Sequence, residues 1–177
     1  MIQIWAFSSA VERFSDKEEV DGPTPSVPTS TVIYMHIPEQ KETFFTIIGC
    51  IDGRCQQEVA DYGKQKFGAL YPDTITEAGL VGILAHNPSP EFLESLKKKI
   101  MISLEKHHSK GILIDGHEEC AGNPVSDEQH KDDIRVSVAA VKSMIHSSVP
   151  VLGVFVKRNS DDPIQWVVEE VSGTLTA

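Results

Sequence analysis

Residues 43–55 read TFFTIIGCIDGRC and residues 111–122 read GILIDGHEECAG. In each stretch a short apolar run rich in β-formers leads directly into residues that carry chemistry. Residues 43–49 (TFFTIIG) and 111–115 (GILID) are therefore read as buried strands. Between them, Val59, Tyr62 or Gly63, and Phe67 recur at roughly helical spacing, predicting a helix over 56–67 that ends near Gly68. Residues 70–76 read as a second strand. Ser89-Pro90 opens a longer helix, with proline at its first position, and Leu93, Leu96, Ile100 and Leu104 line one face. Downstream, Ser126-Asp127-Glu128-Gln129 is a capping box starting a helix whose apolar face is Ile134, Val138, Val141 and Ile145. Residues 150–156 (PVLGVFV) form a strand, 159–163 a turn and 164–171 a last strand. Strands separated by helices pair in parallel, whereas the short turn at 159–163 makes the last strand antiparallel. The expected fold is α/β: a mostly parallel sheet of four strands plus an antiparallel edge strand, with helices on both faces.

The chain has 177 residues, is 40% hydrophobic and 24% charged, and carries a formal net charge of −10. That size and composition suit one globular α/β core. So acidic a balance argues against nucleic acid, because phosphate binding relies on clustered Lys and Arg. No apolar run approaches the roughly 18 residues of a membrane span, and no secretory signal is read, so a cytoplasmic location is expected. The three cysteines form an odd set, which speaks against a disulfide framework. Set among His and Asp, they point to metal binding or catalysis instead.

Residues 5–30 have sparse apolar residues without period, and Pro23, Pro25 and Pro28 fall close together. By composition the segment reads as a disordered extension. It also resembles a translated transfer-RNA gene: Ser-Ser-Ala-Val-Glu-Arg at 8–13 is what AGC TCA GCG GTA GAG CGN, a D-arm sequence, encodes. Residues 1–34 are therefore expected to carry no function, with the natural start at Met35 and a single domain over 35–177.

The chemistry is expected at the ends of two strands. Cys50-Ile51-Asp52-Gly53-Arg54 follows the first, and His117-Glu118-Glu119-Cys120 follows the GILID strand. Open parallel sheets bind ligands at strand C-terminal ends, where the winding reverses. If the two strands are neighbours, Cys50, His117 and Cys120 converge there. Two thiolates and an imidazole suit Zn²⁺ and leave a fourth tetrahedral position open, the catalytic arrangement. Cys55 is a conceivable fourth ligand, although it would have to fold back from the start of a helix. Asp52 and Arg54, two apart in an extended turn, can point the same way, and a guanidinium can hold a carboxylate bidentately and keep it ionised. Such a carboxylate can orient a zinc-bound water, or swing onto the metal.

The paired motifs C-I-D-G-R at 50–54 and G-H-E-E-C-A-G at 116–122 resemble the two signatures of the β-class carbonic anhydrases. The resemblance covers roughly residues 43–157. It implies that Cys50, His117 and Cys120 bind zinc, that Asp52 and Arg54 form a catalytic dyad, and that zinc-bound hydroxide attacks CO₂ to give bicarbonate. It further implies a mixed α/β sheet and a homodimer or higher homo-oligomer. Ala121 stands where the family usually carries Gly, Gly53 where Ser or Ala is commoner, and TITEAG at 74–79 replaces an Arg-Asn-Ala-Gly-like stretch. These departures describe a compact, divergent member. A COS or CS₂ hydrolase using the same zinc site, and a non-catalytic zinc-binding domain, are the alternative readings. Of the remaining polar residues, Glu118, Glu119, His130 and His146 are expected to face solvent, as is Lys97-Lys98-Lys99 on its helix. His107-His108 is expected to end that helix, and His36 and His86 have no partner readable from sequence.

Overall fold

The structure, a computed structural model, describes residues 41–146, 148–162 and 164–171. The reading of residues 1–34, the start at Met35 and His36 lie outside the described residues. The elements in chain order are β1 (Phe44–Gly49), α1 (Gln56–Phe67), β2 (Tyr71–Thr76), α2 (Leu80–Ala85), α3 (Pro90–Glu105), β3 (Ile112–His117), α4 (Asp127–Met144), β4 (Val151–Arg158) and β5 (Trp166–Glu170). They form one sheet of order β2-β1-β3-β4-β5. β1 pairs in parallel with both β2 and β3, β3 pairs in parallel with β4, and β5 runs antiparallel on β4. This is the expected fold class.

Alternation along the strands sends side chains to two cores. Phe45 and Ile47 of β1 join Leu113, Val154 and Val156 beneath Val59 of α1 and Trp166 of β5. Ile48, Ile112, Ile114 and Phe155 point to the other face, where Leu80 and Leu84 of α2, Leu96 and Ile100 of α3, and Ile134 and Val141 of α4 cover them. Helices thus occupy both faces. β1, β3 and β4 are largely buried, and residues 44–48, 112–114 and 154–156 read as short apolar runs, whereas the edge strand β2 (YPDTIT) does not.

Local signals explain the helix ends. α1 stops at Gly68, whose φ of 57° is left-handed and whose N–H donates to the Lys64 carbonyl. α3 starts with Pro90 after Ser89, whose hydroxyl accepts from the Phe92 N–H. Only half of the capping box at 126–129 forms. The Ser126 hydroxyl accepts from the Gln129 N–H, but the Gln129 side chain donates to Asp133 Oδ1 at 2.9 Å instead of returning to the cap. α2 has no counterpart in the sequence reading, since its 6 residues are too few to show a period.

Lys97, Lys98 and Lys99 are exposed as expected. Among the described residues, no helix is long and apolar enough to cross a membrane.

Candidate metal centre

β1 sends its connection to β2 on one side, and the chain then returns to β3 on β1's other side. The winding reverses between β1 and β3, opening a crevice at their C-terminal ends. Cys50 is the residue after β1, and His117 is the last residue of β3, which runs further than residues 111–115. Cys120 lies in the turn beyond it. That turn reverses tightly because Glu119 adopts a left-handed φ of 56°.

The structure brings Cys50, His117 and Cys120 together. Their donor atoms all lie within 4.8 Å of one another, and all three residues are buried. The two sulfurs are 3.7 Å apart. His117 Nδ1 bonds to the Glu118 carbonyl at 2.8 Å. A carbonyl can only accept, so Nδ1 carries a proton, and in the neutral ring it is Nε2 that offers a lone pair. That Nε2 is buried and has no hydrogen-bond partner among the described residues. Buried polar atoms are nearly always satisfied, and a buried imidazole nitrogen without a hydrogen-bond partner beside two thiols is a group that could hold a metal ion.

The electrostatics fit the same use. Burial pushes the Cys50 thiol up, but the neighbouring His117 imidazole and the N–H groups of Gly79 and Asp52 outweigh it and bring it down to about 6. Cys120 is pushed up by burial and by the negative charge of Cys50. Two adjacent thiols cannot both ionise cheaply unless a cation sits between them.

Asp52 and Arg54 lie beside this cluster. Arg54 donates to Asp52 Oδ1 from its backbone N–H and its Nε, both at 3.0 Å, and to Oδ2 from Nη2 at 2.7 Å. These bonds hold the Asp52 carboxyl down at about 2 against the upward push of burial. Asp52 Oδ2 lies 3.9 Å from His117 Nε2, at the edge of the ligand cluster.

Cys55 is set apart from the other two thiols. It caps α1, donates through Sγ to the Asp52 carbonyl at 3.3 Å, and packs in the α1 core. Burial and the nearby negative charges of Asp115, Asp52 and Cys50 push its thiol up.

One expectation about a neighbouring residue is corrected, and three other polar residues gain partners that the sequence did not show. His130 is buried, 3% exposed, rather than solvated; its ring lies 6.3 Å from that of His117 and 5.7 Å from Phe155. Burial drives it down to about 4. Its spacing before Ile134 and Val138 carries the signal that places it on the apolar face of α4. Glu118 is half-buried and its Oε2 accepts from the Arg158 N–H at 2.7 Å; Glu119 is exposed as expected, and its Oε2 also accepts from Arg54 Nη1 and Arg158 Nη2. His86 does have a partner: its Nε2 lies 3.1 Å from Oδ1 of buried Asp133.

Two supporting features escaped the sequence reading. Asp133 Oδ2 accepts from Asn123 Nδ2 at 2.8 Å, and the Asn123 N–H donates to the Cys120 carbonyl at 3.3 Å, which ties the Cys120 turn to α4. The Gly79 N–H donates to Cys50 Sγ at 3.5 Å from a left-handed φ of 63°. A Cβ on Gly79 would lie 2.3 Å from the Gly122 carbonyl, so the two turns pack backbone on backbone. The glycines themselves were the available signal.

Fold and site together define an α/β protein with a buried Cys–His–Cys cluster at a sheet switch point. The family described as "Putative carbonic anhydrase" matches residues 40–172, and the chain belongs to that family. Solved structures with which it aligns include β-carbonic anhydrase isoform I from the protozoan Trichomonas vaginalis. That alignment has 18% identity and a TM-score of 0.45, covering 75% of this chain and 85% of that one. The β-carbonic anhydrase CafA of Aspergillus fumigatus aligns at 17% identity and a TM-score of 0.44, over 76% of this chain and 78% of that one. A structure from work on two tetrameric β-carbonic anhydrases of Sordaria macrospora aligns at 14% identity and a TM-score of 0.41, covering 73% and 81%. No curated protein matches the chain by sequence.

Proposed function

We propose that this chain is a zinc-dependent carbonic anhydrase that reversibly hydrates CO₂ to bicarbonate, with Cys50, His117 and Cys120 as metal ligands and Asp52 and Arg54 as the catalytic pair. The observation that carries the reading is His117 Nε2, buried and unpartnered among the described residues, in a cluster with two thiols. Family membership supports the reaction type. The donor set suits Zn²⁺, with three protein ligands and one open position. Bound zinc supplies a Lewis acid that makes water nucleophilic near neutral pH.

The chain's own residues supply the rest. Glu118's carbonyl fixes the His117 tautomer, and the Gly79 N–H favours the Cys50 thiolate. Arg54 keeps Asp52 ionised and fixed in direction. Asp52 is thereby placed to accept a hydrogen bond from the attacking water and aim its lone pair at CO₂. CO₂ needs no charged recognition group, only a path into the crevice.

Stopped-flow CO₂ hydration by the zinc-replete full chain tests the assignment. Asp52→Ala should keep its zinc and lose on the order of 100-fold in kcat; a variant as fast as wild type would remove Asp52 from the machinery. The reading also takes residues 35–177 as one cytoplasmic domain that assembles with itself. Light scattering should then give at least twice the 19.5 kDa of one chain, and a single-chain mass at micromolar concentration would count against assembly.

A further inference from the structure

Glu119 stands between two metal-cluster residues in a left-handed conformation, φ 56°, that glycine takes without strain. That conformation is uncommon for a residue other than glycine, and here the side chain is engaged on two sides. Its Oε2 accepts from Arg54 Nη1 at 3.2 Å and from Arg158 Nη2 at 3.0 Å. Both guanidinium carbons also lie over the Trp166 ring, at 5.2 Å for Arg54 and 4.5 Å for Arg158. Two cations sharing one indole repel each other, and a single carboxylate oxygen bonded to both offsets that repulsion.

The remaining edges of Arg54, Nε and Nη2, are those that hold Asp52. The guanidinium is planar and rigid, so fixing Nη1 fixes the direction of the other edge. We propose that Glu119, with Arg158 and Trp166 behind it, is a positioning unit that sets the orientation of Arg54 and through it the direction of the Asp52 carboxylate. The proposal rests on the dyad role given above. It gives β5 a purpose in the site, because Trp166 opens β5 and Arg158 closes β4, paired across the antiparallel ladder. The ion pairs are half exposed, with Arg54 at 43% and Glu119 at 53%, so they contribute little to stability. Their removal should leave a folded protein.

Glu119→Gly is the informative variant, since it deletes the side chain while relaxing the backbone. The primary readout needs neither metal nor activity: solvent exchange of the Arg54 Nε–H resonance in the full chain, assigned by its loss in Arg54→Lys. In wild type this N–H is protected by Asp52, and in Glu119→Gly its exchange should rise by on the order of tenfold. Arg158→Ala should do the same. Zinc content and melting temperature should match wild type, and kcat for CO₂ should fall roughly tenfold. Arg54 Nε–H exchange unchanged from wild type in Glu119→Gly overturns the proposal. If wild type itself does not hydrate CO₂, the functional reading fails while the exchange result still decides whether Glu119 positions Arg54.

Discussion

Gly79→Ala is the substitution whose effect the structure prices most directly. Gly79 has a φ of 63°, and forcing Ala into that region costs roughly 1 kcal/mol. The added Cβ would lie 2.3 Å from the carbonyl carbon and oxygen of Gly122 and 2.8 Å from the Asn123 nitrogen. All three are backbone atoms, so no rotamer change relieves the clash. Ordinary contact begins near 3.4 Å, so the two turns must part by about 1 Å. One of them carries Cys120 and the other donates the N–H to Cys50 Sγ. Metal-site distances tolerate about ±0.2 Å, several-fold less than that displacement. Adding about 1–3 kcal/mol for overpacking gives a total of roughly 2–4 kcal/mol. Melting temperature should fall by roughly 5–15 °C. If about 3 kcal/mol falls on the metal-bound state, zinc affinity drops about 100-fold. Gly53→Ala is the control: a Cβ there meets nothing within 4 Å, and the expected change is under about 0.5 kcal/mol with zinc retained. Differential scanning calorimetry and zinc titration against a competing chelator measure both quantities. Wild-type stability and affinity in Gly79→Ala would refute the reasoning.

Cys50→Ser and Cys120→Ser should each lose zinc, measured as metal per chain by mass spectrometry; full retention in both would remove them as ligands. His130 has its pKa lowered from 6.5 to about 4, so the stability its neutral form contributes is complete above pH 6.5 and is lost as pH falls toward 4. That amounts to up to about 3 kcal/mol. His130→Leu should flatten the denaturant-derived stability curve between pH 6.5 and 4 by that amount, and curves parallel to wild type would contradict it. Deleting residues 1–34 should leave melting temperature and zinc content unchanged, because the apolar side chains of 5–30 follow neither helical nor strand period; a fall of several degrees would show that the segment packs.

The legible parts of this protein are those where one local signal decides. Residues 43–49 and 111–115 are apolar on both faces because β1 and β3 are central and covered on both sides, so their sequence alone marks them as strands. Cys50, His117 and Cys120 could be paired on paper because a parallel sheet puts the ends of neighbouring strands side by side. What stayed hidden depends on three-dimensional approach. α2 is a single short apolar run with neither period nor side-chain cap. Glu119 looks like any exposed acid until its backbone turns left-handed and Arg158, 39 positions away, meets it. The role of Gly79 needs the Gly122 turn opposite it, and the role of Asp133 needs Asn123 at its side. His130 was within reach of the helical period and was masked by its polarity.

The central claim is that the Cys50–His117–Cys120 cluster with its Asp52–Arg54 pair hydrates CO₂. The most direct test is stopped-flow CO₂ hydration between pH 7 and 9, using wild-type protein with its zinc content determined on the same sample. The account predicts about one zinc per chain and a hydration rate that exceeds buffer and scales with protein concentration. Zinc-loaded protein that hydrates CO₂ no faster than buffer across that range would contradict it, and the cluster would then be a metal site without this chemistry.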